Sequence, residues 1–174
     1  VYYRAAIDAQ KEHPLDGLVR ARLSDYQARG VCLLRDGGDA WGVSLRAREL
    51  AGEYGIDYRS PAFPIYRRGH YGAFIGRGFD TEDEYRALLD EAGENFIKLM
   101  TSGLIDFDHF GVLTEPGPEP QDIRRMIELA HAAGFAVMAH ANGDRAVTAA
   151  LQAGVDSIEH GAYLSESVLL RMAQ

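Results

Sequence analysis

The chain has 174 residues, 47% of them hydrophobic and 25% charged, which suits one domain with a sizeable core. Its formal net charge of -8 comes without a long single-sign run, so it lacks the basic face that a nucleic acid or an anionic membrane would require, and neither partner is expected. A single cysteine, Cys32, allows no intramolecular disulfide and no thiolate cluster; with no signal peptide and no apolar run of membrane-spanning length, the chain reads as soluble and cytoplasmic, with His, Asp, Glu and Lys as its candidate ligands.

The first thirty residues read as helical, with Tyr3, Ile7, Leu18, Val19, Leu23 and Tyr26 at apolar positions and a break at His13-Pro14. Val1 begins inside that pattern without an initiator methionine, as expected of a piece of a longer protein. Gly30 closes the helix, and Val31 to Arg35 reads as the first strand, ended by Asp36-Gly37-Gly38. A helix follows over about Leu45 to Tyr54, capped by Gly55, then a proline-punctuated strand from Ser60 to Tyr66. Arg67 to Phe79 is a long loop holding Gly69, Gly72, Gly76 and Gly78; loops of that length in a compact domain are usually functional or mobile.

A third helix starts at Thr81, with Glu84 in capping-box spacing, and ends at Gly93. Asn95 to Met100 is the next strand, and Thr101 to Pro120 a second long loop. Gln121 to Ala133 is an amphipathic helix with Ile123, Met126, Ile127 and Ala130 on one face, stopped at Gly134. The strand Phe135 to Ala139 then ends on His140, a helix follows, and the strand Val155 to Ile158 ends near His160. Glu166 to Ala173 begins one more helix. Five strands, each followed by a helix, give an α/β fold with a parallel sheet and no second domain.

Three residues carry the candidate chemistry. His140 and His160 end consecutive strands with one helix between them, the spacing of a right-handed parallel unit, so both imidazoles sit at the carboxyl edge of the sheet. Neutral imidazole is a good zinc ligand, which makes the pair a candidate metal site. Lys98 lies inside the apolar strand Phe96-Ile97-Lys98-Leu99-Met100, on the face of Phe96 and Met100. An unpaired ammonium there is costly, and the ways out are a carboxylate partner, a head that snorkels out at the strand end, a depressed pKa, or covalent modification.

The runs NFIKLMTSG, FAVMAHANG and GVDSIEHG, with the earlier GVCLLRDGG, resemble the amidohydrolase superfamily, in particular its imidazolonepropionase-related and dipeptidase-like branch, over nearly the whole chain. The resemblance implies parallel (β/α) units from a TIM (β/α)8 barrel, here strands 2 to 6 of eight and therefore incomplete. It also implies one or two divalent metals, zinc being expected, with Lys98 matching a carboxylated bridging lysine, His140 the strand 5 ligand and His160 the strand 6 ligand. The implied activity is hydrolysis of amide or other C–N bonds in a small-molecule substrate by a metal-activated water. The family's strand 1 His-x-His pair and strand 8 aspartate have no counterpart in this sequence. Without them the chain is expected to be catalytically silent alone, to keep Lys98 as an unmodified amine, and to self-associate through exposed barrel edges.

Other polar residues read less sharply. Asn142, two residues past His140, suits a supporting role beside the ligand or a substrate contact rather than a metal ligand, and His70 in Gly69-His70-Tyr71-Gly72 is either a substrate residue or an ordinary loop histidine. Asp106, Asp108 and His109, which follow Lys98 on the same edge, read as a solvated acidic loop in preference to a substrate contact, His13 and His131 as surface histidines on helical segments, and Glu159 as pointing to the side of its strand opposite His160. Two other function classes fit parts of the pattern. Lys98 followed by Thr101-Ser102-Gly103 also resembles the Schiff-base strand of class I aldolases, which leaves the histidines unexplained; a non-catalytic acidic α/β binding module makes use of neither.

Overall fold

The computed structural model describes residues 2–92 and 95–173. Gly93, the expected end of the third helix, lies outside the described residues, as do Val1 and the side chain of Tyr3. In chain order the elements are α1 (Tyr2–Asp8), α2 (Asp16–Ala28), β1 (Leu33–Arg35), α3 (Val43–Ala51) running into a tight turn at Gly52–Tyr54, β2 (Asp57–Arg59), β3 (Pro64–Arg67) and β4 (Arg77–Phe79). They continue with α4 (Glu82–Asp90), β5 (Phe96–Met100), α5 (Pro120–Ala132), β6 (Ala136–Ala141), α6 (Gly143–Gln152), β7 (Ser157–His160) and α7 (Glu166–Met172). Among the described residues β1 to β7 pair only in parallel, in the orders β1-β2 and β4-β3-β5-β6-β7, and one isolated antiparallel bridge joins Ile105 to Leu113 in the loop after β5.

The sheet departs from the expected pattern in two places. Of the strand expected over Ser60 to Tyr66 only the second half forms, as β3, which pairs with β5; Ser60 to Phe63 is a kink, and an unexpected strand, β2, precedes it and pairs with β1. Pro61 brings no N–H to a ladder and Ala62 takes a left-handed φ of 70°, so the ladder cannot continue. The kink is held from the chain that follows β1: the Ala62 carbonyl accepts from the Asp39 amide at 3.0 Å and from Ser44 Oγ at 3.3 Å. Gly38 approaches so closely that a Cβ would lie 2.8 Å from the Phe63 nitrogen. The second departure is β4, inside the expected loop, which returns alongside β3 without an intervening helix. Gly76 allows this, since a Cβ there would meet the Pro64 carbonyl oxygen at 2.6 Å. The pattern of a helix after every strand therefore fails at β2 and β3.

Side chains hold the starts of α3 and α4. Asp39 accepts from the amides of Trp41, Val43 and Ser44 at 2.6–3.1 Å and so starts α3. Thr81 Oγ1 accepts from the Glu84 amide at 3.2 Å, while Glu84 reaches back to the Asp80 amide at 2.6 Å, one residue beyond the position a capping box would use. His13 lies in the connection between α1 and α2, not in a helix, because the stretch before Pro14 does not stay helical.

Register fixes which side chains share a face. Lys98, Met138 and Ser157 are partners across β5, β6 and β7, as are Met100, His140 and Glu159 one step on. The alternate row of Ile97, Leu99, Val137 and Ala139 packs against Ile123, Ile127 and Ala130 of α5 and Val147 and Ala150 of α6, forming the main core. A smaller core under β1 and β2 joins Val19 and Leu23 of α2 to Ala47, Leu50 and Ala51 of α3 and to Ile56. The helices cover one face, so the Lys98 and His140 rows lie on the inner face of a partial barrel. Among the described residues β1 pairs only with β2, and β7 only with β6.

Candidate active site

Lys98 leaves the middle of β5 into a cavity of about 320 Å³ at the carboxyl edge of the sheet, whose walls include Tyr71, Phe74, Met100, His140 and His160. Burial lowers its ammonium to about 8; Glu159 and Asp36 oppose that shift, and Arg35 adds to it. His140 is 2% exposed, and burial pushes its imidazolium down to about 4, against the pull of the Gly103 carbonyl and with a smaller push from His160 and Lys98. Its Nε2 lies 3.1 Å from the Gly103 carbonyl oxygen. A carbonyl can only accept, so Nε2 carries the proton and the ring's lone pair is on Nδ1.

His160 reaches the same cavity by breaking the strand rule. Strict alternation would place it with its register partner Ala141, on the helix-covered face. Its φ of 76° turns the backbone instead, and its ring comes to 4.7 Å from that of His140, edge to face. Burial lowers the His160 imidazolium as well, with Lys98 acting the same way. Glu159 corrects the sequence expectation: it is on the opposite side of β7 by alternation, yet that side is the inner wall, in the row of His140. There it accepts from Arg35 Nη2 at 2.9 Å.

Asn142 occupies the position before α6, 2% exposed, where its Nδ2 donates to the Gly103 carbonyl at 3.2 Å and its Oδ1 accepts from the Ala162 amide at 3.0 Å. It ties the loops after β5 and β7 to the end of the His140 strand. His70 is drawn to Glu115, with Nδ1 3.1 Å from Oε2, and the same carboxylate accepts from the Tyr71 amide. The side chain that this grip sends over the cavity is that of Tyr71, whose ring is 5.0 Å from His140 and 5.2 Å from Phe74. Asp106 accepts from the amides of Asp108 and His109 in an exposed turn, and His131 Nε2 lies 2.9 Å from Asp156 on the outer surface. Tyr71, Arg35 and Asp36 are the residues near the site that sequence reasoning passed over. The one available signal was Asp36-Gly37-Gly38 closing a strand, a place where parallel folds put functional groups.

Residues 46–171 match the amidohydrolase family. The chain belongs to that family. The amidohydrolase chain is 28% identical to ochratoxinase of Aspergillus niger over 146 residues, which is 80% of this chain and 28% of that protein. Its fold superposes on the crystal structure of the same A. niger enzyme with a TM-score of 0.69 at 19% identity, covering 90% of this chain and 42% of that one. A prolidase crystallised with N-methylphosphonate-L-proline gives 0.66 at 25% identity over 85% of this chain and 41% of that one, and a Xaa-Pro dipeptidase with bound methionine 0.68 at 18% over 88% and 43%. The amidohydrolase chain thus spans about a quarter to two fifths of these relatives and forms part of a TIM barrel.

Family membership implies a divalent metal, and the donors of this amidohydrolase chain fit part of such a centre. Two imidazoles whose protonated forms burial disfavours pack edge to face, and a buried amine with weakened basicity shares their cavity. Among the described residues no group of three or more His, Cys, Asp or Glu could hold an ion, so these donors are a subset of a full coordination shell. No described helix is long and apolar enough to cross a membrane.

Proposed function

We propose that this chain carries the lysine and histidine ligands of a metal-dependent hydrolase of amide or related C–N bonds in small molecules. The observation that carries the reading is the convergence of Lys98, His140 and His160, from β5, β6 and β7, on one cavity where both imidazoles are held uncharged. Zinc would suit this donor set, held by His140 through Nδ1, by His160, and by Lys98 in its carboxylated form. When bound, such an ion lowers the pKa of water and polarises the scissile carbonyl.

The chain's own residues prepare the site. His140 keeps its lone pair free at neutral pH because its imidazolium is pushed down to about 4. Lys98, lowered to about 8, is mostly protonated at pH 7 but has about a tenth of its population as neutral amine, far more than an ordinary lysine. That amine attacks carbon dioxide, forming an N–C bond and releasing a proton, so a cation becomes an anionic ligand with two oxygens. Tyr71 and Phe74 wall one side of the cavity with aromatic surface. The cavity of about 320 Å³ suits a dipeptide-sized molecule, in keeping with relatives named for proline dipeptides.

The test is metal content and hydrolysis of a dipeptide and N-acyl amino acid panel by the whole protein carrying Lys98→Ala, His140→Ala or His160→Ala. Each substitution should lower both, and retained activity in all three overturns the assignment. The weak basicity of Lys98 also favours a Schiff-base lyase as second reading. Borohydride trapping of a carbonyl compound on Lys98, undiminished by a chelator, would move the reading there.

A further inference from the structure

We infer that Arg35 is a positioning residue for His160, an inference that rests on the reading of His160 as a metal ligand. β1 pairs with β2 in one sheet, while β7 is the end strand of the other, β4-β3-β5-β6-β7, opposite β4. No ladder joins β1 to β7 among the described residues. Arg35, the last residue of β1, spans the gap between them with its side chain. Its Nη2 donates to Ser157 Oγ at 3.0 Å and to Glu159 Oε1 at 2.9 Å.

The two acceptors are alternate residues of β7, so both lie on the inner wall, and the next residue is His160. This segment needs holding. β7 has four residues, is paired on one side only among the described residues, and ends in the left-handed conformation that turns His160 into the cavity. The β6 ladder fixes its distance from His140, but the inner face of its end is fixed by Arg35. The base of the arginine is itself anchored, because the Asp36 amide donates to the Arg59 carbonyl at 2.8 Å and Asp36 Oδ2 accepts from Tyr58 Oη at 2.9 Å.

The experiment measures zinc affinity, by competition with a chromophoric chelator, in the metal-stripped whole protein. Arg35→Met should weaken binding by about tenfold or more, the usual effect of removing a group that orients a ligand. Arg35→Lys, which keeps a cationic donor, should restore most of it. Arg59→Met, one strand away and paired with Asp57, should change nothing. Glu159→Met should reproduce the loss, and the double variant with Arg35→Met should lose little more than either alone, since both remove the same tie. If near-ultraviolet circular dichroism shows that Arg35→Met does not fold, Glu159→Met decides from the other end. Parent-like zinc binding in the folded arginine variant, while His160→Ala binds weakly, overturns the inference alone. Parent-like binding by His160→Ala overturns the ligand reading and the inference with it.

Discussion

Replacing Lys98 with methionine should stabilise the metal-free chain at neutral pH. The lysine is 7% exposed, and burial lowers its pKa from 10.5 to about 8. That shift is the folded state's penalty for an ammonium in this place, about 3 kcal/mol at about 1.4 kcal/mol per unit. Methionine has a similar length, adapts its shape, and would lie beside Met138, its partner across the ladder. For a chain of this size the gain corresponds to a rise in Tm of about 6 to 12 °C, an upper figure because the replaced stem already packs. The sign of the pH dependence follows from the direction of the shift. Below pH 8 folded and unfolded chains both carry the proton, and the penalty is felt in full. Between pH 8 and 10.5 the folded lysine is neutral while the unfolded one is still charged, so the parent gains on the variant until the difference closes. Urea denaturation followed by circular dichroism, in buffer free of carbon dioxide and metal, measures both chains from pH 7 to 10.5. A variant less stable than its parent at pH 7, or an advantage that does not shrink as pH rises, would refute the reasoning.

Acid should act through His140: as pH falls from 6.5 to about 4 the unfolded chain takes up a proton that the folded chain refuses, removing up to about 3 kcal/mol, and His140→Gln should lose that part of the slope in urea midpoints against pH. Gly117→Ala should cost several kcal/mol or prevent folding, because a Cβ there would lie 2.2 Å from the Thr101 carbonyl oxygen at a φ of 79°; a Tm within a few degrees of the parent contradicts this. The 174-residue chain alone should show no amidase turnover and should associate, through the free edges of β1 and β7 and the apolar side chains Leu169, Leu170 and Met172 exposed on α7, burying about 1,000 Å² or more. A clean monomer in sedimentation at tens of micromolar would contradict the association, and turnover would contradict the silence.

The strands that deliver Lys98, His140 and His160 were legible because each is an apolar run between a glycine-stopped helix and a polar break, signals that act within a few residues. What escaped is set by distant contacts. The split between β2 and β3 depends on the backbone of Ala62 and on how closely Gly38 approaches it, neither of which composition reveals. Alternation placed Glu159 and His160 on opposite sides of β7, correctly for a regular strand, but the left-handed turn at His160 brings both to the inner wall. Tyr71 was hidden behind His70, its neighbour, because the choice of which side chain covers the cavity is made by Glu115, more than forty residues away.

The kink from Ser60 to Phe63 divides the molecule's cooperativity as well as its sheet. On one side lie β1, β2, α2 and α3 with their small core, and on the other the larger core under the five-stranded sheet. A unit with less buried apolar surface opens more often, so amide exchange in β1 and α3 should be faster than in β5 and β6. Each such opening withdraws Arg35 from Ser157 and Glu159 while Lys98 and His140 stay in place. The end of β7 is then the first part of the site to lose its support, and exposure to protease near Gly161 would report it.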